Sequence, residues 1–263
     1  MSGVRSVERA VAILETFPPK GEVLTLTEIA RLSGLSKTTA HRLLGTLTEL
    51  GMVEFDPRAQ GYRLGLKVFR LGSIVRNSIE LVQEAEPILH RLVQETEETA
   101  FLIVPDGVET LCLERIDGLH SVRVLFLETG RRLPYNAGAG PRVLLAHLPE
   151  QDWKRTVSEH VRRMTPNSLV TMDQLAADRE AIRRNGYSLS REDVSAHAAA
   201  VGAPVRDHSG RVVAAVSIAG IVQRFSDENL PFLVEAVRGA GRELSLRMGW
   251  EAEPRRRSVA AGV

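Results

Sequence analysis

The chain has 263 residues, of which 43% are hydrophobic and 25% charged, and its net charge at neutral pH is +1. These proportions are typical of a soluble globular protein and exclude a disordered chain, a collagen or a disulfide-rich scaffold. No apolar run approaches the ~20 residues that a membrane-spanning helix needs, and the N-terminal residues show no secretory signal. With Cys112 as the single cysteine, we predict a cytoplasmic protein of one or two domains, without a membrane partner or an intrachain disulfide.

The near-neutral total hides an uneven charge distribution. The first 70 residues carry a net charge of +3, whereas residues 71–250 carry −3. A basic front and an acidic body fit a nucleic-acid-binding module joined to a second domain, although so small an excess decides little alone.

Three helices are predicted in the first 51 residues. The first covers 4–17 and ends at Pro18-Pro19, because proline cannot donate into a helix. It carries an apolar stripe at helical spacing, formed by Val7, Ala10, Val11 and Leu14. The second helix opens on a capping box, Thr25 with Glu28, and stops at Gly34. Ser36 can cap a third helix that runs to about Leu50, with Gly51 closing it.

The segment after the third helix predicts a hairpin and then a helical connection. Two short extended runs flank the turn-rich 56–61. Residues 66–97 have a mostly helical pattern, whose first half is the predicted link between two domains, with the boundary in the seventies.

From Thr99 onward the apolar period changes, which predicts an α+β or α/β body with its own core. Predicted strands lie at 99–104, 109–116, 121–126, 186–190, 198–207 and 211–220. A loop of small residues is predicted over 129–141, with helices through 143–148, near 150–163 and 173–185, and over 227–249.

Residues 26–51 have the parts of a helix-turn-helix: a short helix, a turn with a glycine, and a second amphipathic helix. The outer face of that second helix carries short polar and basic groups in its first turns, where a recognition helix meets base edges. The predicted DNA-contacting residues are Ser36, Lys37, Thr38, Thr39, His41 and Arg42, with Arg58 and Arg63 from the hairpin. A small helical bundle without DNA-binding function is the alternative interpretation of the same periodicity.

The residues of 4–17, 26–54 and 61–65 resemble the N-terminal domain of IclR-family transcriptional regulators. The later segments RMTPNSL, Asn185-Gly186-Tyr187 with its following acidic pair, and GAPVRDHSGRVVAAVSIAG are similar to the family's effector-binding domain. The two motif sets lie about 130 residues apart and in the family's order.

The resemblance implies a winged helix-turn-helix domain over 1–65, a linker helix over 66–80, a GAF-like effector-binding domain over 81–250 and a basic tail over 251–263. It implies a regulator, most commonly a repressor in this family, that binds a near-palindromic double-stranded DNA operator as a homodimer or tetramer. A small organic effector, a carboxylate or an aromatic compound, would control operator affinity. The implied effector-binding residues are Asn136, Ala137, Gly138, Asp193, Ser217 and Ala219.

The chain departs from the family's pattern where the effector is held. Asp193 stands where a glutamate is usual, His197 where a glycine is frequent, and Arg206 where an aromatic residue or histidine is common. A carboxylate effector would need a cation, for which Arg142 or Arg123 is the candidate.

Two other classes of protein remain as alternatives. One is a DNA-binding protein without ligand control; the other is an enzyme with an acid–base pair, Asp193 with His197 or Asp207 with His208. No nucleophile elbow, phosphate-binding loop or dinucleotide fingerprint is present, so a non-enzyme without cofactor is expected. Asp193, His197 and His208 are conceivable metal ligands, but they lack tight spacing, which favours a hydrogen-bonded or solvent-facing His197 instead.

Overall fold

The computed structural model describes residues 4–18, 22–78, 80–122 and 127–251. The chain divides into two compact units, Met1–Ile79 and Glu80–Val263. The predicted strand at 121–126 falls partly outside the described residues, as do Arg123 and all but the first residue of the predicted tail.

The first unit is a small helical domain with a two-stranded wing. It contains α1 (Arg5–Leu14), α2 (Leu26–Ser33), α3 (Lys37–Glu49), β1 (Val53–Asp56), β2 (Gly61–Leu64) and α4 (Leu66–Ser78). Leu24 pairs with Tyr62 through two backbone hydrogen bonds, so the chain before α2 lies alongside the antiparallel hairpin. The core is apolar, formed by Ile13, Ile29, Ala30, Ala40, Leu44, Leu47 and Val53.

Local signals in the sequence account for the helix ends of this unit. The Thr25 hydroxyl accepts the N–H of Glu28 while the Glu28 carboxylate accepts the N–H of Thr25, which confirms the capping box. Gly34 and Gly51 have φ of +68° and +71°, the left-handed backbone that ends a helix and that glycine adopts without strain. The predicted helix-turn-helix is therefore confirmed in its boundaries.

The prediction for α1 was wrong in two respects. The helix ends at Leu14, before Pro18, where the Thr16 hydroxyl donates to the Ile13 carbonyl. Ala10 and Leu14 of the predicted stripe pack against the core, but the fully buried residue is Ile13, and Val7 and Val11 are exposed by 59% and 46%. The apolar stripe is wider than one face, and tertiary packing selected the side that meets α2 and α3.

The second unit is a six-stranded antiparallel sheet between two helical layers. The sheet order is β5-β4-β3-β8-β7-β6, with α5 and α9 packed on one face and α6 on the other. Its strands are β3 (Thr99–Asp106), β4 (Glu109–Ile116), β5 (Arg132–Pro134), β6 (Ser188–Arg191), β7 (Ala198–Arg206) and β8 (Val212–Ile221). Its α-helices are α5 (Glu80–Thr96), α6 (Ala139–His147), α7 (Glu150–Glu159), α8 (Met172–Asn185) and α9 (Leu230–Arg247).

Because side chains alternate along a strand, the two central strands need apolar residues on both faces. On β8, Ala215 and Ala219 join the core under α6, while Val216 and Ile218 are buried between them on the opposite side. Helices on both faces therefore explain the nearly continuous small and apolar run that the sequence shows there.

Several predicted boundaries in this unit were wrong. The segment predicted as a loop contains β5, which pairs with β4, and α6 begins at Ala139, four residues before the predicted helix core. Helix α7 ends at Glu159, and α9 begins at Leu230 after a short 3₁₀ turn, Val222–Phe225. These elements are decided by pairing and packing with distant residues rather than by local propensity.

Among the described residues, none of the helices is both long and apolar enough to cross a membrane.

Candidate DNA-binding face and candidate effector site

Helix α3 separates an apolar face from a polar one. Ala40, Leu44 and Leu47 are buried, and no acidic residue lies in the first turn. The residues predicted to contact DNA lie on the outer side: Ser36, Lys37, Thr38, His41 and Arg42 are exposed, and Thr39 is half-buried. The first turn of the helix also carries the partial positive charge of its free N–H groups, which favours phosphate nearby.

Two of these residues also hold the helix end. The Ser36 hydroxyl accepts the backbone N–H of Thr39 at 3.2 Å, and the two hydroxyl oxygens are 2.9 Å apart. Lys37 and Arg42 form no ion pair with any described residue, so their charges are available to a ligand.

A cleft between α1 and α3 brings in residues that the sequence analysis missed. Ser6 and Arg9 of α1 line it together with Thr38, Arg42 and Thr46, and its volume is about 280 Å³. No sequence signal marks Arg9, because only the packing of α1 against α3 brings its side chain to the recognition helix.

The wing offers one free cation and one paired cation. At its tip, the Asp56 carboxylate accepts the backbone N–H groups of Ala59 and Arg58, which lowers the pKa of Asp56 and fixes the turn. Arg58 is exposed there and has no carboxylate partner among the described residues. Arg63 instead lies 3.1 Å from Glu54 across the hairpin, so it is the weaker candidate for a phosphate contact.

The predicted effector residues surround the start of α6. Gly138 has a φ of +88°, and a Cβ atom on Gly202 of β7 would lie 2.9 Å from the backbone of Ala139. A Cβ atom on Gly140 would lie 2.5 Å from the Ile103 side chain. The helix therefore starts in direct contact with the sheet, and the run of small residues is what permits that approach.

Asp193 is the centre of a buried polar network. Its carboxylate accepts the N–H of Gly138 at 3.4 Å, a guanidinium N–H of Arg142 at 3.1 Å and the hydroxyl of Ser190. Arg142 also pairs with Asp178; burial opposes its charge, but the two carboxylates raise the pKa of Arg142. Arg142 is thus not the free cation that the sequence suggested for an effector carboxylate, because Asp178 and Asp193 already neutralise it.

Asn136 holds a distant loop. Its amide donates to the carbonyls of Arg162 and Leu169 at 2.8 and 2.9 Å and accepts the N–H of Arg162 at 3.1 Å. These bonds tie the 162–169 loop to the start of α6, a structural role that residue type alone did not indicate.

Ser217 differs from Asn136 and Asp193 because its hydroxyl has no hydrogen-bond partner among the described residues. The residue is 3% exposed, and its oxygen would lie 3.3 Å from a Cβ atom on Gly140. Ala219 lies two residues further along the same face of β8, and Ala137 is fully buried beside Gly138. The fold brings the predicted residues together, and their contact with an effector stays a prediction.

The other titratable candidates do not form a site. The His197 side chain is 80% exposed and lies 3.8 Å from Glu192, whereas Asp193 is buried. Asp207 is held by the Ser209 hydroxyl and by Arg211, which lower its pKa. Within the described ranges, no three His, Cys, Asp or Glu side chains converge as metal ligands would.

Cys112 is a core thiol. It is 1% exposed, and burial raises its pKa to about 12, with Glu114 adding to the effect. A thiol with so high a pKa is unreactive at neutral pH.

The fold and the exposed polar helix define a winged helix-turn-helix protein with a larger α+β second domain. Residues 6–57 match the IclR helix-turn-helix domain, and residues 74–246 match the family described as bacterial transcriptional regulator IclR C-terminal. The chain belongs to the IclR family of DNA-binding transcriptional regulators, and the predicted two-domain α+β fold is confirmed.

Individual relatives agree with this assignment. The HTH-type transcriptional regulator XynR of Escherichia coli is 34% identical over 95% of this chain and 99% of its own length. The HTH-type transcriptional repressor AllR of the same species is 28% identical, over 96% and 93%. A crystal structure of an IclR homolog from Microbacterium hydrocarbonoxydans complexed with 4-hydroxybenzoate superposes with a TM-score of 0.81 at 27% identity, covering 92% and 98%. The family members named here are regulators, so the chain is a regulator and not an enzyme.

Proposed function

We propose that this regulator is a repressor that binds a near-palindromic operator as a homodimer, or as a tetramer of two dimers, and that a small carboxylate or aromatic effector controls its operator affinity. The proposal divides the chain into a DNA-binding domain (1–65), a linker helix (66–80), an effector domain (81–250) and a tail (251–263). Its location would be the cytoplasm, where bacterial DNA is.

The observation that carries the proposal is the outer face of α3. Lys37, Thr38, His41 and Arg42 project from the first two turns of an N-capped helix, and no described carboxylate neutralises the two cations. Groups of this kind at this place can donate to base edges in the major groove, while Arg9 and Arg58 flank them at positions suited to phosphate.

Dimerisation is supported by apolar side chains that the first unit leaves exposed. On α4, Leu66, Phe69 and Ile74 are exposed by 78%, 74% and 62%. Large apolar groups concentrated on one helix favour a protein contact, since burying each would contribute roughly 1.5–3 kcal/mol. Two such copies would present two recognition helices to successive major grooves, which is why a near-palindromic operator is proposed.

Effector control is supported by the surroundings of Ser217. A nearly buried hydroxyl that has no hydrogen-bond partner in the described part of the chain, next to the N-terminal turn of α6, can donate to a carboxylate or phenol oxygen. The effector can shift operator affinity only by binding two arrangements of the protein unequally, typically by ~1–3 kcal/mol.

The first test is a mobility-shift titration on DNA from upstream of the protein's own gene, at two salt concentrations and with excess unrelated DNA. A discrete complex that survives competition is expected, and its affinity should fall as salt rises. Absence of any complex at low salt would overturn the proposal.

Effector control is tested with benzoate, 4-hydroxybenzoate, acetate and succinate as probes. At least one of these acids is expected to release the complex from the wild-type protein, and Ser217→Ala should weaken that release while operator affinity stays unchanged. Identical titrations for the variant and the parent would remove Ser217 from the effector site. If none of the four acids releases the protein from the operator, a carboxylate effector would be excluded.

A further inference from the structure

A cavity in the Glu80–Val263 unit has the chemistry of an anion site. It measures about 200 Å³ and lies where β7 ends beside the last turns of α9. Three guanidinium groups line it, those of Arg206, Arg238 and Arg242, together with the indole of Trp250. It does not include any of the residues proposed to bind the effector.

The charges of this cavity are largely uncompensated. Arg206 and Arg242 have no carboxylate partner among the described residues, and Arg238 has only Glu235, at 3.7 Å. Three positive charges against one negative charge leave an excess of about two, which a dianion would neutralise.

Arg206 is held in place by neutral groups. Its guanidinium donates to the Gly210 carbonyl at 2.8 Å, lies 3.5 Å from the His147 imidazole and stands over Trp250, 6.0 Å from the ring centroid. Its backbone N–H donates to the Ser245 hydroxyl at 2.9 Å. A guanidinium fixed in this way keeps free N–H groups in a defined direction, so it loses little entropy when an oxyanion binds.

The neighbourhood shows the same positive field. Burial lowers the pKa of His147, and the charges of Arg206, Arg183 and Arg179 lower it further. Burial also lowers the pKa of Arg206, as expected for a half-buried cation with no carboxylate partner in the described ranges. The Arg238 guanidinium lies near Gly186 at the C-terminal end of α8, and Arg206 donates to the Gly210 carbonyl, whereas Arg242 forms no hydrogen bond or ion pair with any described residue.

We propose that Arg206, Arg238, Arg242 and Trp250 form a binding site for a small oxyanion with two negative charges, of the phosphate or short dicarboxylate class. The guanidinium groups supply paired N–H donors, which match oxyanion geometry, and the indole closes one side. This inference is independent of the proposed effector site, since the two sites share no residue.

Trp250 is a reporter inside the site. The chain has two tryptophans, Trp153 and Trp250. The Nε1 of Trp153 has no hydrogen-bond partner among the described residues, so Trp153→Phe removes none of the hydrogen bonds seen there and leaves Trp250 as the only indole. In this full-length variant, Trp250 emission is followed during titration with inorganic phosphate and, separately, with succinate. Chloride at matched ionic strength is the control.

A saturable change in emission with phosphate or succinate, absent with chloride, is the expected result. Arg242→Gln should weaken it about tenfold without affecting folding, because Arg242 is exposed and forms no hydrogen bond or ion pair with any described residue. Arg206→Gln should abolish saturation, whereas Arg206→Lys should retain part of it. Arg155→Gln, on the exposed face of α7, should titrate like the parent.

A response that chloride reproduces, or equal midpoints for Arg242→Gln and the parent, would overturn the site. Which of the two probes binds more tightly decides the class: preference for phosphate indicates a phosphate ester, and preference for succinate indicates a dicarboxylate.

Discussion

The residues assigned to DNA and those assigned to the effector are built in opposite ways. Lys37, His41 and Arg42 stand on an exposed helix face and take no part in the core of their unit. Asn136 and Asp193 are 1% and 2% exposed, and each is hydrogen-bonded to several parts of its own unit. The proposed DNA-binding residues therefore form a solvent-exposed surface, whereas Asn136 and Asp193 belong to a buried hydrogen-bonded network.

Because of this difference, substitutions at the two sites are expected to affect binding and stability in different ways. On the α3 face a substitution can remove binding without cost to the fold, since the side chains are solvated in the free protein. In the network around Asp193, each group satisfies another buried group, so a substitution lowers stability before it affects any ligand.

The largest effect is expected from Arg142→Met. The change leaves the carboxylates of Asp178 and Asp193 close together and without their cation, and breaking a buried ion pair costs ~3–5 kcal/mol. Chemical denaturation of the full chain should show this loss in the free energy of unfolding. The control is Arg155→Met, which breaks an exposed pair with Asp152 and should change stability by less than ~1 kcal/mol. Equal losses for the two variants would contradict the network's structural role.

The second effect is on binding alone. Arg42→Ala should weaken operator affinity by ~1–3 kcal/mol, or roughly fivefold to 150-fold, and leave the thermal unfolding midpoint unchanged. The measurement is a mobility-shift titration at constant salt together with a thermal melt. The matched control is Arg63→Ala, whose side chain is already paired with Glu54 and should matter less. If Arg63→Ala is the more damaging variant, the wing rather than α3 dominates binding.

A smaller effect separates the two roles of Ser36. Ser36→Ala removes the N-cap of α3 and should lower the free energy of unfolding of the first unit by ~1 kcal/mol. Ser36→Asp restores a capping acceptor but places a negative charge on the proposed DNA face. Stability of Ser36→Asp should therefore match the parent while its DNA affinity falls. Unchanged affinity in both variants would limit Ser36 to capping.

The smallest effect is a pH dependence from His147. Burial keeps its imidazole neutral and lowers its pKa below the ordinary 6.5, while Nδ1 lies 2.8 Å from the Val143 carbonyl. As the pH falls, the unfolded chain therefore binds a proton at this histidine before the folded protein does. The contribution of His147 to the free energy of unfolding is fully present above the ordinary pKa of 6.5 and is lost as the pH falls toward the folded-state pKa. Denaturation midpoints between neutral and mildly acid pH should fall less in His147→Gln. A parallel fall in the parent and His147→Gln would contradict the assignment, and the exposed His208→Gln is the control.

Much of the first unit could be predicted from its residues, because its signals are local. The capping box at Thr25, the cap at Ser36 and the glycines at 34 and 51 each act within one helical turn. The position of α1 could not be predicted equally well, since Val7 and Ile13 are both apolar and only the neighbouring helices select between them.

The α+β fold class of the second unit could be predicted from the sequence, but its strand pairing and helix boundaries could not. Strand β5 and the early start of α6 depend on pairing with β4 and on contact with Gly202, both distant in the chain. The proposed anion-binding cavity could not be predicted from the sequence for the same reason, since Arg206, Arg238 and Trp250 come from different parts of the chain. Arg206 stood out only as a departure from the family's pattern.

By itself, the sequence determined the family, the two-domain organisation and the polar face of the recognition helix. These features depend on helix caps, apolar periodicity and motif order, which are all local signals within short segments. Only the tertiary structure decided which charges are free. Arg142 and Arg206 are the same residue type in the same unit, yet one lies between two carboxylates and the other has none among its described neighbours. That difference arises from which elements pack together, and no local pattern encodes it.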